Sequence, residues 1–406
     1  MTFLDQSQQP RSLSIPGRLE LPPELHDRII DHLHADRSTL MACSTVCRAW
    51  LRAARHHFLS TLEIRRRNAL TLRRLLKAPH ATLGLSVRRL AIRAGKAVRP
   101  NQFIGDRLPV VESLLLSATY LVPVKELITY TRCYVHQLVE LVLYSVKLDS
   151  FADFATELLE FKVLRHLCLA NGVTWVDPSL SSMEADTEPS AAALPSLNSL
   201  ILGGRNIDLA WWLLERKVVS IARLDLRPSH SLLRVASDAA QRSPEVNQIY
   251  RALGPNLYEL DLRDDQQTIA DLSANVKLRA LWFHDVVLSD GQWVIDTLAQ
   301  VVSPHLHTIT LHAYSDDHGE RVSLESFHWY ALTQVLSNAP FSAQLRRIQI
   351  LWLGFYDDAE LTTGVRKRLV GHVPAAVDVV ADFVSETETR FGATTHDRLF
   401  DRHYTV

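Results

Sequence analysis

The sequence predicts an α/β protein: a short three-helix module near the front, then a long one-sided stack of parallel strands backed by helices. Three observations predict it. Residues 21–57 crowd three short amphipathic segments together. From about residue 87 one template, apolar-x-x-apolar-x-apolar, recurs ten times. Helical patterns fill many of the gaps between its copies.

In the front module, Leu25, Ile29 and Leu33 recur at i, i+4, i+8, one face of a helix. Pro22 and Pro23 suit its first turn, where no amide donor is needed. Asp36 or Ser38 suits the cap of a second helix carrying Leu40, Met41 and Ser44. A third holds Val46, Trp50, Ala53 and Ala54. So small a core is marginal by itself. Surplus apolar side chains should then face a partner.

The template's central residues are Leu90, Leu114, Leu141, Leu167, Leu200, Leu224, Leu260, Leu281, Ile309 and Ile348. Strand then helix, repeated, implies parallel strands with right-handed crossovers. A doubly wound sheet would show continuous apolar strands. Here Arg89, Glu140, Arg223, Asp225, Glu259 and Asp261 occupy the alternate positions, so one sheet face is expected to meet water. That favours a solenoid with strands on the concave side and helices on the convex side.

Expected helices lie at Val124–Cys133, Phe151–Leu159, Ile207–Leu214, Ser289–Val301 and Leu324–Leu336. Residues 173–195 are polar and acidic, an exposed insertion; residues 228–256 carry two helical patterns split at Ser243-Pro244; residues 315–323 look like a loop. The resulting bounds are a disordered tail 1–19, the helical module 20–60, a basic helical linker 61–86, a repeat domain 87–372, and a cap and tail 373–406. Within the cap, Pro374–Phe391 is amphipathic and suits the open end of the stack.

Composition bounds the function. The chain has 406 residues and a formal net charge of −1, against wholesale polyanion binding. Residues 1–100 carry a net +11 and the remainder −12, so the two parts do different jobs. No run of 18 uncharged apolar residues predicts a membrane span. The four scattered cysteines do not make a disulfide framework, and a reducing compartment, cytoplasm or nucleus, is expected.

The front module resembles an F-box. The residues carrying the likeness are Leu21-Pro22-Pro23-Glu24-Leu25, Ile29, Leu33, Leu40, Val46-Cys47-Arg48 and Trp50. The resemblance implies docking onto the Skp-family adaptor of a cullin-based, SCF-type ubiquitin ligase. The positions matching the adaptor-binding role are Leu21, Pro22, Leu25, Ile29, Leu40, Val46 and Trp50. The remainder is similar to leucine-rich repeats of an irregular kind, without an Asn ladder.

On the concave side, the strands toward the C-terminus are rich in charge, His and Trp. Arg227, Arg263, Trp282, His284 and His312 are the candidate target-binding residues; the alternative is cross-strand pairing of neighbouring charges. No catalytic, phosphate-loop or cofactor signature is present, so a non-catalytic subunit with an unknown protein target is expected. Neither Cys43 with Cys47 nor His305, His307 and His312 makes a persuasive metal set. Two further readings are an adaptor-bound scaffold without ligase output and a nucleic-acid-binding repeat protein using the Arg-rich stretch 65–99.

Overall fold

The structure is a computed structural model describing residues 22–33, 36–78, 83–94, 107–118, 121–122, 124–170, 173–177, 196–203, 206–218, 220–227, 236–263, 269–287, 291–314, 327–354, 359–370, 373 and 377–385. The expected tail 1–19, the loop 315–323, residues 178–195 of the insertion, and Leu21 lie outside them.

Three helices come first: α1 (Pro23–His32), α2 (Arg37–Cys43) and α3 (Arg48–Ser60). The Asp36 carboxylate caps α2 by accepting from the Ser38 and Thr39 amides. Ile30, Leu40, Cys43 and Ala54 form a core separate from that of the sheet, with Leu33, Trp50 and Ala53 packed against it. His57 Nε2 lies 2.7 Å from Asp31 Oδ1 and ties α3 to α1.

The strands that follow are β1 (Thr61–Ile64), β2 (Arg89–Ala94), β3 (Ser113–Ala118), β4 (Leu121–Val122), β5 (Glu140–Tyr144), β6 (Lys147–Ser150), β7 (His166–Leu169), β8 (Thr174–Asp177), β9 (Ser199–Gly203), β10 (Arg223–Arg227), β11 (Glu259–Arg263), β12 (Ala280–Val287), β13 (Thr308–Tyr314), β14 (Arg347–Gly354) and β15 (Asp378–Ser385). Between them run α4 (Ala69–Lys77), α5 (Val124–Thr131), α6 (Phe151–Leu158), α7 (Ile207–Glu215), α8 (Ala236–Leu253), α9 (Gln292–Ala299), α10 (Trp329–Asn338) and α11 (Ala359–Val370). Among the described residues, twelve strands make one sheet whose lateral order follows chain order, while β4, β6 and β8 make a second, three-stranded sheet. Every pairing in both is parallel.

The protein is therefore mixed α/β, a helical front followed by a parallel sheet. The ten expected central residues fall in a single register row, extended by Leu62 at one end and Val379 at the other. From Leu90 to Ile348 all are buried against the helices, in the core that also holds Leu209, Leu213, Val294 and Leu332. Fully burying one such side chain is worth about 1.5–3 kcal/mol. The start of each strand is also repeated. Glu112 and Ser113 both donate to the Arg88 carbonyl, Val139 and Glu140 to Glu112, and Arg165 and His166 to Val139. The pattern continues to Arg346 and Arg347 on His307.

The structure departs from several expectations. The sheet overruns the bounds 87–372 at both ends, because β1 lies in the expected linker and β15 in the expected cap. Leu59-x-x-Leu62-x-Ile64 satisfies the template, and its Leu62 and Ile64 are buried; at the other end, Ala381 is a small residue filling a core position. Residues 174–177 of the expected insertion form β8, with Trp175 packed edge-on to Phe151 at 5.1 Å. Instead of two helical segments, α8 runs through Pro244, forgoing one backbone hydrogen bond. At α9, Gly291 is required by close packing: a Cβ there would lie 2.2 Å from the Phe327 ring.

Candidate functional site

Two surfaces carry the candidate residues. On the helical module, Leu25 and Ile29 stand one turn apart on α1, so they share a face. Together with Met41 of α2 and Val46 in the turn before α3, they are 38% to 63% exposed. Apolar side chains in such a small unit gain by meeting another surface. Pro22 is exposed at the N-cap of α1. Leu40 differs from expectation: at 2% exposure it is a core residue of the module rather than a surface one. Trp50 is half-buried on the same core, edge-on to His26 at 5.9 Å. Met41 is the residue sequence reasoning left out; about 100° round α2 from Leu40, it turns off the core face and is exposed.

The second surface is the sheet face away from the helices. Toward the N-terminus, Leu115, Val142, Cys168, Ala170 and Ile201 form a small buried apolar cluster, flanked by Ala91 and Tyr144. This face is thus drier than the alternation of residues predicts. In-register side chains on neighbouring strands stand about 4.8 Å apart and screen one another. Nearby, Glu140 is buried and accepts from the Ser113 hydroxyl at 2.5 Å. Burial pushes its carboxyl up, against the opposing effects of the Ser113 hydroxyl and the Arg89 charge. His166 beside it is pushed down by burial and by the charges of Arg165 and Arg223.

Toward the C-terminus the same face is charged. Neighbouring strands carry Arg-Leu-Asp-Leu-Arg (223–227) and Glu-Leu-Asp-Leu-Arg (259–263), in register. That register places Arg223 beside Glu259 but Asp225 beside Asp261, two buried like charges. Arg223 answers this by reaching diagonally: Nη2 lies 3.4 Å from Asp261 Oδ2, while Nη1 lies 3.6 Å from Glu259 Oε2. Its guanidinium also sits over the Trp282 ring, 5.3 Å from the centroid. From the other side, His284 Nε2 lies 2.7 Å from Asp261 Oδ1.

The register of β12 against β13 shifts between Phe283 and Val286, opposite His312. Such an irregularity re-aims side chains, and here the His284 and His312 rings lie 4.3 Å apart and tilted by 38°. The structure thus brings Trp282, His284 and His312 together, with Arg263 in register beside His284. His284 and His312 are largely buried, while Arg263 and Trp282 are partly exposed. Arg227 ends β10, and its side chain lies outside the described residues. Sequence reasoning placed Arg223, Asp225, Glu259 and Asp261 on this face but not among the binding candidates. The repeated Arg/Glu-Leu-Asp-Leu-Arg pattern was the available signal for their pairing.

Cys43 is buried in the module core whereas Cys47 is exposed. His307 bonds Thr308 at its Nδ1. Among the described residues no group of three or more His, Cys, Asp or Glu is arranged to hold a metal. Nor is any helix among them long and apolar enough to cross a membrane.

Comparison with known proteins bears on the front of the chain. No curated protein matches it. Among solved structures, the crystal structure of a Bacteroides fragilis protein aligns over 55% of this chain and 68% of its own, at 12% identity and a TM-score of 0.34, too low an overlap to carry an argument. The F-box-like family matches residues 19–61, the segment that holds α1, α2 and α3. Residues 19–61 are therefore an F-box-like domain, a protein-interaction module of a kind typically held by Skp-family adaptors and typically non-catalytic.

Proposed function

We propose that this protein is the target-recognition subunit of an SCF-type ubiquitin ligase. The F-box-like domain docks on a Skp-family adaptor through Leu21, Pro22, Leu25, Ile29 and Val46, with Trp50 at the margin and Met41 added. The observation that carries this reading is the exposure of Leu25, Ile29, Met41 and Val46 on a module that already owns a separate core. Burying them costs the module no refolding, so their apolar area goes to the partner.

The parallel sheet is a leucine-rich-repeat-like solenoid. Three observations support that architecture: strand order equal to chain order, one continuous row of central leucines, and the recurring paired amides at strand starts. The target lies against β10–β13, where Arg263 and Trp282 offer contact and His284 and His312 shape the floor, with Arg227 retained as a candidate on the sequence alone. Arg223, Glu259 and Asp261 hold that floor rather than the target. The subunit performs no bond chemistry; it raises the local concentration of target lysines beside the ubiquitin donor.

Co-purification tests this. The full chain is expected to bring down both adaptor and cullin, and Leu25→Asp with Ile29→Asp to lose both while remaining folded. Adaptor without cullin supports the scaffold reading instead. Capture that survives the double substitution removes the docking assignment. Target binding is expected to fall in Trp282→Ala and Arg263→Ala with adaptor capture intact.

A further inference from the structure

Helix α4 carries an unusual outer face. Ala69 and Leu76 are buried in the sheet core and Leu72 packs against it. Leu70 and Leu75, by contrast, are exposed, as is Leu85 in the short helical turn Leu83–Leu85 that packs on α4; the three range from 51% to 70%. Leu70, Arg74 and Lys77 recur at i, i+4, i+7 and form one stripe. Arg66 and Arg67 stand exposed in the turn just before the helix.

The charge here is one-sided. No Asp or Glu occurs between Glu63 and Asp106. Glu63 is already taken by Arg65 and Arg93; although burial alone would raise its carboxyl, those two cations hold it low. Glu112 pairs with Arg88. Arg66, Arg67, Arg74 and Lys77 make no ion pair with these acids, the nearest described ones in sequence.

We propose that this face docks an acidic amphipathic helix of a partner protein, on a surface separate from the F-box-like docking residues. Complementarity of charge sets the sign of the partner, and the leucines set its class. Phosphate backbones give exposed leucines nothing, and residues 65–94 contain no Phe, Tyr or Trp to serve as a stacking platform for bases. A membrane anchor needs more apolar surface than one nine-residue helix with two outward leucines offers. A helix with apolar residues at i and i+4 and flanking carboxylates satisfies both features in one surface.

The test uses the full-length protein and a fluorescent designed peptide, a helix with one leucine stripe flanked by glutamates. A peptide of the same composition, scrambled to break the stripe, is the control. The expected result is saturable binding of the striped peptide, weakened about tenfold by Leu70→Ser and similarly by Arg74→Glu with Lys77→Glu, and little changed by Leu75→Ser, which stands about 140° round the helix from Leu70. Raising salt from about 0.1 M to about 1 M, which shortens the Debye length from about 10 Å to about 3 Å, is expected to weaken it too. Both leucines are exposed, so circular dichroism and adaptor capture should be unchanged in the variants; this separates the proposal from the ligase reading. Equal binding of the scrambled peptide, or no loss in Leu70→Ser, overturns it. So does preferential binding of phosphatidylserine vesicles or of duplex DNA.

Discussion

The His284 imidazole lies against that of His312, 4.3 Å between centroids, and at the same time 2.7 Å from Asp261. Asp261 thus serves His284 and Arg223 together, each through a different oxygen. Removing it leaves both without their buried anion. Asp261→Ala is expected to destabilise the protein by about 3–5 kcal/mol, the usual cost of breaking a buried ion pair from one side. Urea unfolding measures it; a loss well under about 1 kcal/mol shows that the network is not holding the sheet face.

The helical module separates two kinds of apolar residue. Leu40→Ala is expected to cost about 2–5 kcal/mol by opening a cavity in the module core, weakening adaptor capture only through unfolding. Leu25→Asp, at an exposed site, is expected to leave the thermal midpoint nearly unchanged while capture disappears. Thermal melts paired with pulldowns separate the cases, and a midpoint collapse in Leu25→Asp contradicts the assigned surfaces.

Glu140 predicts a pH signature. Burial raises its carboxyl above the ordinary 4.5, so the folded state holds that proton more tightly than the unfolded chain. Its contribution to stability is therefore fully present below 4.5 and is lost as pH rises through the raised folded value. Relative to Glu140→Gln, which stays neutral, the native protein should lose stability across that window. Chemical denaturation of both at several pH values checks the sign; an opposite slope would mean that Ser113 and Arg89 outweigh burial.

Gly291→Ala introduces a methyl group where the Phe327 ring already sits. Overpacking of this kind costs about 1–3 kcal/mol. The loss should show in urea unfolding and be relieved by Phe327→Leu in the same chain, a non-additivity expected of touching residues.

Much of the fold was legible because period-two leucines and helical stripes are local signals that burial reinforces. The row from Leu90 to Ile348 is of this type. The ends were harder to read. Leu62 and Ile64 follow an arginine-rich surface helix and precede Arg65–Arg67, so their strand hides among charges. In β15 the core position falls to Ala381, which gives little hydrophobic signal. The candidate face was legible as a set of residues but not as a network: which charge pairs with which depends on register, and the His284–His312 contact depends on a one-residue irregularity. Leu40 and Met41, adjacent in sequence, differ in burial because packing against α1 and α3 decides which face of α2 is covered.

The last turn of α3 ends at Ser60 and β1 begins at Thr61, with the Ser60 carbonyl accepting from the Arg88 amide at 2.9 Å. No loose tether therefore separates the F-box-like module from the first ribbon of the sheet. A target held on β10–β13, as proposed, would inherit its bearing from that joint, as the load on a crane arm inherits its bearing from the pivot. A few glycines spliced between Ser60 and Thr61 would turn a fixed arm into a swinging one.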